Sequence, residues 1–135
     1  MIYENILKKL NKKAINNGDV PVSAIIVKNN KIISKAYNKK YKNNNPLEHA
    51  EIIAIRKACK KLKTTNLIDC ELIVTLKPCK MCKEIIKEAK VEKVIYGAKG
   101  RERETEKSII QIDNEDIVRE CEKLIKMKFH EIRKK

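Results

Sequence analysis

The sequence predicts an α/β domain in which helices pack on a mixed β-sheet. A hairpin near the N-terminus precedes strands that alternate with helices, an order typical of this class. The chain has 135 residues, of which 42% are hydrophobic and 37% charged, a composition that fits a buried core and excludes disorder. No repeat and no Pro- or Gly-rich linker divides it, so we expect one domain over residues 1–135.

The first third of the chain predicts a helix and a hairpin. Apolar residues recur at helical spacing over 2–16, and an Asn-Asn-Gly sequence ends the pattern. Residues 20–27 and 31–37 predict two strands that turn at Asn29-Asn30. Residues 38–47 are polar and rich in asparagine, so we expect a loop there.

The remaining elements alternate between helix and strand. In chain order we expect a helix from Glu48 to about Leu62, a strand over 71–76, a helix from Pro78 to about Ala89, and a strand over 91–96 that Gly97 closes. After a charged loop at 99–107, residues 108–112 predict a fifth strand, and Asp113 or Asn114 is expected to cap a last helix that ends near Ile132.

The net charge of +14, from 32 basic and 18 acidic residues, indicates a polyanionic partner, of which nucleic acid is the commonest. The alternative is compositional, because Lys, Asn and Ile are all abundant, as an AT-rich coding sequence favours. No apolar run approaches the ~20 residues of a membrane span, and residues 1–5 have no secretory signal character. We therefore expect a cytoplasmic protein without membrane association.

The five cysteines indicate a reducing compartment and a metal site. An odd number without a signal peptide argues against a disulfide framework. Cys79 and Cys82 differ from the others because they lie three residues apart at a predicted helix start. There both thiols face one side of the helix and the thiolate form is stabilised, which suits zinc.

His49 completes a set of three donors with Cys79 and Cys82. Three protein ligands leave the fourth tetrahedral position to water, which marks a catalytic zinc site. Glu51, two residues after His49, can exchange protons with that water and deliver them to a ring nitrogen and a leaving amine. The pattern His-x-Glu followed by Pro-Cys-x-x-Cys is the signature of zinc nucleobase deaminases.

Each motif has a simpler interpretation when it is taken alone. A Cys-x-x-Cys pair is also typical of redox sites and of half a structural zinc site, and His-Ala-Glu by itself carries little information. A structural site needs a fourth ligand, which Cys59 or Cys70 can supply in principle, although both are more simply core residues, as is Cys121. The presence of both motifs at helix starts favours the catalytic interpretation.

Four stretches of the chain resemble the bacterial tRNA-specific adenosine deaminases, which belong to the cytidine deaminase-like zinc superfamily. They are residues 19–27, His49-Ala50-Glu51, residues 74–82 and residues 94–98. The resemblance implies a three-layer α/β/α cytidine deaminase-like fold, with a mixed five-stranded sheet flanked by helices. It also implies a homodimer that edits tRNA.

The same resemblance implies the roles of the site residues. It implies one Zn²⁺ per chain, held by the three donors named above, with Glu51 as the proton donor and acceptor. It implies Asn38 as a contact to the flipped base and Ala50 as a backbone contact at the pocket wall. From the residues alone, Asn38 is equally well a turn residue.

Two features depart from that family. Lys77 stands where a glutamate usually precedes Pro-Cys, which changes the charge beside the pocket. The segment between Ala98 and Glu120 is shorter than in the family and lacks its Gly-rich stretch and short helix. A parallel crossover needs about 12 or more residues, so the last strand is expected either to pair antiparallel or to follow a minimal crossover.

The leading prediction is a zinc hydrolase that converts adenosine to inosine at the wobble position of tRNA, with the anticodon stem-loop as its partner. The alternative among enzymes is a deaminase of a free base or nucleotide, guanine or deoxycytidylate. The alternative from another class is a non-catalytic zinc-bearing RNA-binding subunit, against which Glu51 argues. Candidate contacts to the stem phosphates are basic residues of the last helix: Lys123, Lys126, Lys128, Arg133, Lys134 and Lys135.

Overall fold

The computed structural model describes residues 3–98, 109–112 and 114–134, without the side chains of residues 109, 110 and 128–134. Its helices are α1 (Glu4–Asn16), α2 (Ala50–Leu62), α3 (Lys80–Glu88) and α4 (Glu115–Lys134). Its strands are β1 (Ser23–Lys28), β2 (Lys31–Tyr37), β3 (Cys70–Leu76), β4 (Lys93–Ala98) and β5 (Ile109–Gln111).

The strands form one mixed sheet in the order β2-β1-β3-β4-β5. β1 is antiparallel to β2 and β3, whereas β4 runs parallel to β3, and β5 runs parallel to β4. Four strands have six or seven residues, and β5 has only three. The predicted α/β fold with a mixed sheet flanked by helices is confirmed. Of the two expectations for the last strand, antiparallel pairing is wrong.

The sheet is covered on both faces, and alternate strand residues face opposite layers, as the two-residue period of a strand requires. Ile25 and Ile73 pack against Leu10 of α1 on one face. Ile26 and Val74 lie on the other face, in the larger cluster that includes the buried side of α2. The core is therefore divided between two layers, with the sheet in the middle.

β1 begins at Ser23 and not at residue 20 as predicted. Pro21 lacks the N–H that pairing in a sheet needs. Val22 N–H donates instead to Val20 O at 2.7 Å, which bends the chain before the strand. Val20 and Val22 are thereby left beside the end of the sheet, where they help to form the site described below.

Two helices also begin later than predicted. α2 begins at Ala50 and not at Glu48, and α3 begins at Lys80 and not at Pro78. In both cases the residue just before the helix has an extended backbone, with ψ of 146° and 171° respectively. Such a residue is the N-cap, whose side chain projects beyond the helix end and not along its face.

β4 lies two residues later than predicted, over Lys93–Ala98 instead of 91–96. Its parallel pairing with β3 continues to the pair formed by Leu76 and Ala98, so Gly97 lies inside the strand and does not close it. Pairing with β3 therefore extends β4 through Gly97, although glycine is more common in turns than in strands.

Gly97 lies where two other elements approach the backbone of β4. A Cβ built there would lie 2.7 Å from the Thr75 carbonyl oxygen and 2.9 Å from Cys121 Sγ. We expect Gly97→Ala to lower the free energy of unfolding by about 1–3 kcal/mol, because the carbonyl of a central strand cannot move aside. Urea denaturation measures this change. Lys93→Ala, at an exposed position of the same strand, should change it by less than about 1 kcal/mol. Equal stability of Gly97→Ala and the unmodified chain would contradict the close approach.

α4 is capped by one of the two predicted residues. Asn114 Oδ1 accepts hydrogen bonds from two backbone N–H groups of the first turn, at 3.1 and 3.2 Å. The other candidate, Asp113, lies outside the described residues. α4 lies beside α1, where Glu120 pairs with Lys8 at 3.0 Å. Although α4 has 20 residues, neither it nor any other described helix is long and apolar enough to cross a membrane.

Candidate active site

The starts of α2 and α3 meet beyond the C-terminal end of β3. His49 is the N-cap of α2, Cys79 is the N-cap of α3, and Cys82 lies in the first turn of α3. The carboxyl ends of strands are the usual place for a ligand in α/β folds. A helix start also presents unpaired N–H groups and the positive end of the helix dipole, both of which stabilise a thiolate.

The three predicted metal ligands are brought together. The donor atoms of His49, Cys79 and Cys82 lie within 4.8 Å of one another, and Cys82 Sγ lies 3.7 Å from His49 Nδ1. Tetrahedral zinc, with bonds of roughly 2.0–2.3 Å, separates its ligand atoms by roughly 3.3–3.8 Å. The donor set therefore suits zinc, the distance between Cys82 and His49 lies in this range, and the described part of the chain holds no other such group of three.

The two thiols of this group have opposite electrostatics. Hydrogen bonds from Cys82 and then from His49 lower the pKa of Cys79 to about 3. The hydrogen bond to Cys79 raises the pKa of Cys82, and burial raises it further. Contact with Cys79 also raises the pKa of His49, against the effect of burial. Cys79 is thus a thiolate at neutral pH, which is the form of cysteine that binds a metal ion.

Glu51 lies in the first turn of α2 and is only 4% exposed. Burial raises the pKa of its carboxyl group. Its Oε1 has no hydrogen-bond partner within the described structure, which is an unusual state for a buried oxygen. A water or a substrate atom is the natural partner for this oxygen, through which the carboxyl group can accept and donate a proton.

A cavity of about 200 Å³ opens onto these side chains. Its lining includes His49, Glu51 and Cys79 from the two helix starts, and Asn38 and Lys77 from the residues that follow β2 and β3. A cavity of about 150 Å³ admits a benzene ring, so this one has room for a single nucleobase. Its position beside the three metal donors would bring one edge of such a base to the metal.

Asn38 follows β2 directly and connects it to the start of α2. Its Oδ1 accepts a hydrogen bond from Ala50 N–H at 2.8 Å, and its own N–H donates to Val22 O at 3.0 Å. The side chain therefore has a local structural role and still keeps its amide N–H₂ as a donor for the cavity. Ala50 is fully buried and its N–H donates to Asn38, and its predicted backbone contact to substrate stays a prediction.

Lys77 lies in the lining of the cavity, as its position before Pro-Cys leads one to expect. It is only 7% exposed, and its Nζ lies 5.8 Å from the centroid of the Tyr96 ring. Within the described residues no carboxylate forms an ion pair with it. The cavity is therefore lined by a buried lysine at the position before Pro-Cys.

Asp19, Lys40 and Tyr41 also line the cavity, although none of them is among the predicted site residues. Asp19 is 1% exposed and accepts hydrogen bonds from Tyr41 N–H at 2.9 Å and Lys42 N–H at 3.5 Å. It thereby ties the loop after β2 to the segment before β1. One signal could have identified it: an acidic residue that stands between the turn at Gly18 and an apolar strand.

The other three cysteines lie outside this group. All five cysteines are free. Burial raises the pKa of Cys59 and of Cys70, and it raises that of Cys121 to about 11. These thiols stay protonated and pack in or against the core, and neither Cys59 nor Cys70 joins the three donors as a fourth ligand.

The last helix contributes no described residue to the cavity lining. Lys123 and Lys126 are exposed, so they are accessible to a partner. The side chains of Lys128, Arg133 and Lys134, and the whole of Lys135, lie outside the described residues. The contact of this helix with RNA phosphates therefore stays a prediction.

Residues 3–98, which contain the complete site, match the family described as the cytidine and deoxycytidylate deaminase zinc-binding region. The chain belongs to this deaminase family. Zinc is accordingly its cofactor, in agreement with the His/Cys/Cys donor set.

A relative in this deaminase family has a named substrate. The tRNA-specific adenosine deaminase of Aquifex aeolicus (strain VF5) is 49% identical over 87 residues, which are 64% of this chain and 58% of the relative. The chain therefore spans less than two thirds of that relative's length.

Two solved structures share the deaminase fold with the chain. One comes from biochemical and structural studies of A-to-I editing by tRNA:A34 deaminases at the wobble position of transfer RNA. It is 25% identical, with a TM-score of 0.72, and the match covers 82% of this chain and 96% of that one. The X-ray structure of guanine deaminase from Bacillus subtilis is 40% identical, with a TM-score of 0.63, and the match covers 71% and 64% respectively.

Proposed function

We propose that this chain is a zinc-dependent hydrolytic deaminase that converts adenosine to inosine at the wobble position of tRNA. The observation that carries the proposal is the buried, unpartnered oxygen of Glu51 beside three metal donors, at a cavity with room for one base. A non-catalytic RNA-binding subunit would have no use for such a carboxyl group. The 49% identity to a tRNA-specific adenosine deaminase supports tRNA as the substrate.

In this proposal His49, Cys79 and Cys82 hold one Zn²⁺ per chain. Bound zinc is a Lewis acid that makes water a nucleophile at neutral pH. Three protein donors would leave room for a water on the metal, as in other catalytic zinc sites. The low pKa of Cys79 means that one thiolate is present before a cation arrives.

Glu51 moves the protons of the reaction. Its carboxylate takes a proton from the attacking water and passes it to a ring nitrogen, and the second proton of that water reaches the leaving amine by the same group. The water oxygen becomes bonded to C6 of the base, and the amine leaves as ammonia. Burial favours the protonated form of Glu51, and that form is the one needed as the proton donor.

Asn38 orients the base in this proposal. Ala50 N–H holds Asn38 Oδ1 at 2.8 Å, which leaves the amide N–H₂ to donate to an acceptor atom of the base. Ala50 is proposed as a backbone contact at the pocket wall, and its N–H also positions Asn38.

We also propose that the chain acts as a cytoplasmic homodimer and that residues 1–135 form a single zinc-dependent deaminase domain. The five free cysteines support a reducing compartment. The resemblance to bacterial tRNA-editing enzymes supports the dimer. The net charge of +14 supports a polyanionic partner such as RNA.

Free guanine is the second candidate substrate. The guanine deaminase of Bacillus subtilis is 40% identical to this chain, and a cavity for one base does not by itself distinguish adenine from guanine. Deoxycytidylate is a further candidate within the same chemistry, because the family description includes deoxycytidylate deaminases.

The substrate is tested by offering the zinc-loaded protein an anticodon stem-loop with a wobble adenosine, free guanine and deoxycytidylate, with mass spectrometry of the products. We expect turnover of the stem-loop alone, with a kcat/KM that falls steeply as salt rises, because bound phosphates release counterions. A stem-loop with its adenosine one position from the wobble site is the matched control and should react poorly. Turnover of guanine or deoxycytidylate without the stem-loop would overturn the tRNA substrate and leave the zinc chemistry standing.

A further inference from the structure

Tyr41 is a large side chain left exposed at the edge of the cavity. It contributes to the cavity lining, and 52% of it is exposed. Among the described residues, six large hydrophobic side chains are exposed, and Tyr41 is the only one of them that lines the cavity. A tyrosine at a ligand site offers a large, rigid ring face on which a ligand can stack.

The backbone of Tyr41 is held in place. Its N–H donates to Asp19 Oδ1 at 2.9 Å, and this carboxylate is itself buried. On the next residue back, Lys40 O accepts a hydrogen bond from Asn45 N–H at 3.0 Å, which closes a turn. A ring on a held backbone loses little conformational entropy when a ligand contacts it.

The ring also has a cation beside it. Lys40 Nζ lies 5.5 Å from the centroid of the Tyr41 ring. Base–aromatic stacking is generally stronger than an exposed cation–π contact, so a base can displace the ammonium of Lys40 and stack on the Tyr41 ring. The flexible ammonium of Lys40 is then close enough to bind the phosphate attached to that base.

The size of the cavity separates the target base from its neighbours. About 200 Å³ holds one base, so the adjoining nucleotides of a strand must lie outside the cavity. Extruding the target also removes a stacking partner from those neighbours. An aromatic ring with a nearby cation is the usual means by which proteins bind unstacked bases of a single strand.

We propose that the ring of Tyr41 stacks on the base next to the one being deaminated, with Lys40 on the phosphate between them. The inference rests on the proposed function, because only a polynucleotide substrate has a neighbouring base. It gives the enzyme a contact that distinguishes a strand from a free base, which the cavity alone does not provide.

The test compares kcat/KM on the wobble-adenosine stem-loop for the unmodified enzyme, Tyr41→Ala, Tyr41→Phe and Ile68→Ala. Loss of one stacked base should lower the value for Tyr41→Ala by about 5- to 150-fold, whereas Tyr41→Phe, which keeps the ring, should stay within about 2-fold. Ile68→Ala removes another exposed side chain (47%), before the start of β3, and should have no effect. Zinc content and Tm of each variant separate a binding defect from a folding defect.

A second arm changes the RNA, and its first comparison uses the unmodified enzyme and so does not depend on the folding of a variant. An abasic sugar is placed next to the target, on its 5′ side in one RNA and on its 3′ side in another. Only one of the two RNAs should lower kcat/KM of the unmodified enzyme, by a factor similar to that of Tyr41→Ala. The same change should cost Tyr41→Ala almost nothing, because the two losses remove one contact. Normal activity of Tyr41→Ala would overturn the proposed stacking contact. So would a loss from the abasic sugar that is as large in Tyr41→Ala as in the unmodified enzyme. Failure of the unmodified enzyme to deaminate the intact stem-loop would overturn the proposed function itself. This measurement therefore distinguishes failure of the proposed function from failure of the Tyr41 contact.

Discussion

Replacing Glu51 by glutamine should abolish turnover and leave the zinc in place. The amide has nearly the shape of the carboxyl group, but it cannot accept the proton of the attacking water. General acid–base catalysis contributes about 10²–10⁴-fold, and a group that serves several proton transfers should lie at the top of this range or above it. Because Glu51 is not among the three metal donors, we expect the zinc content to stay near one per chain.

The measurement is kcat on the stem-loop together with metal analysis of the same samples. Glu84→Gln makes the identical chemical change on α3, at a side chain that is 71% exposed, and should keep full activity. Near-normal turnover by Glu51→Gln would remove the proposed proton carrier. Loss of zinc together with activity would instead place Glu51 in the metal site.

Replacing Cys82 by serine should remove most of the zinc, and activity with it. The three donors are the one such group among the described residues, and the variant keeps only two of them. Mutation of a residue that hydrogen-bonds to a metal ligand typically lowers the affinity for the metal about 10–100-fold, and loss of a ligand itself should lower it further. Metal analysis after dialysis, with a titration of zinc into the stripped protein, measures both quantities.

Cys59→Ser is the matched control because Cys59 is a half-buried cysteine outside the donor group. It should bind zinc as the unmodified chain does. Cys82 is fully buried, so circular dichroism must show that the serine variant is folded before its zinc content is interpreted. A folded Cys82→Ser protein with undiminished zinc would exclude this residue as a ligand.

Local sequence patterns predict most elements of this fold correctly. The strand over residues 31–37 has the predicted bounds, and α1, α2 and α3 lie where helical spacing places them. Such patterns succeed because alternation along a strand and the 3.6-residue period of a helix are properties of neighbouring residues. The errors are in the bounds of the strands. β1 begins later than predicted because Pro21 cannot pair in the sheet, and β4 ends later because its pairing with β3 continues past Tyr96.

The motifs also predict which side chains gather at the site. His49 and Cys79 stand just before helices in the sequence, and both prove to be N-caps. Cys82 follows by the spacing of one helical turn. That the two helix starts meet depends on the strand order, which motif spacing does not encode.

What the sequence determined by itself is the chemistry of this protein: a donor set for zinc, a carboxyl group beside it, and an α/β framework to carry them. Tertiary structure decided the surroundings of that chemistry. The burial of Glu51, the engagement of Ala50 N–H by Asn38, and the place of Tyr41 at the cavity all depend on contacts between distant segments. The physical reason is that the residues adjacent in the chain largely determine whether a segment forms a helix or a strand. Burial and long-range hydrogen bonds, by contrast, form only when the strands pair in their final order.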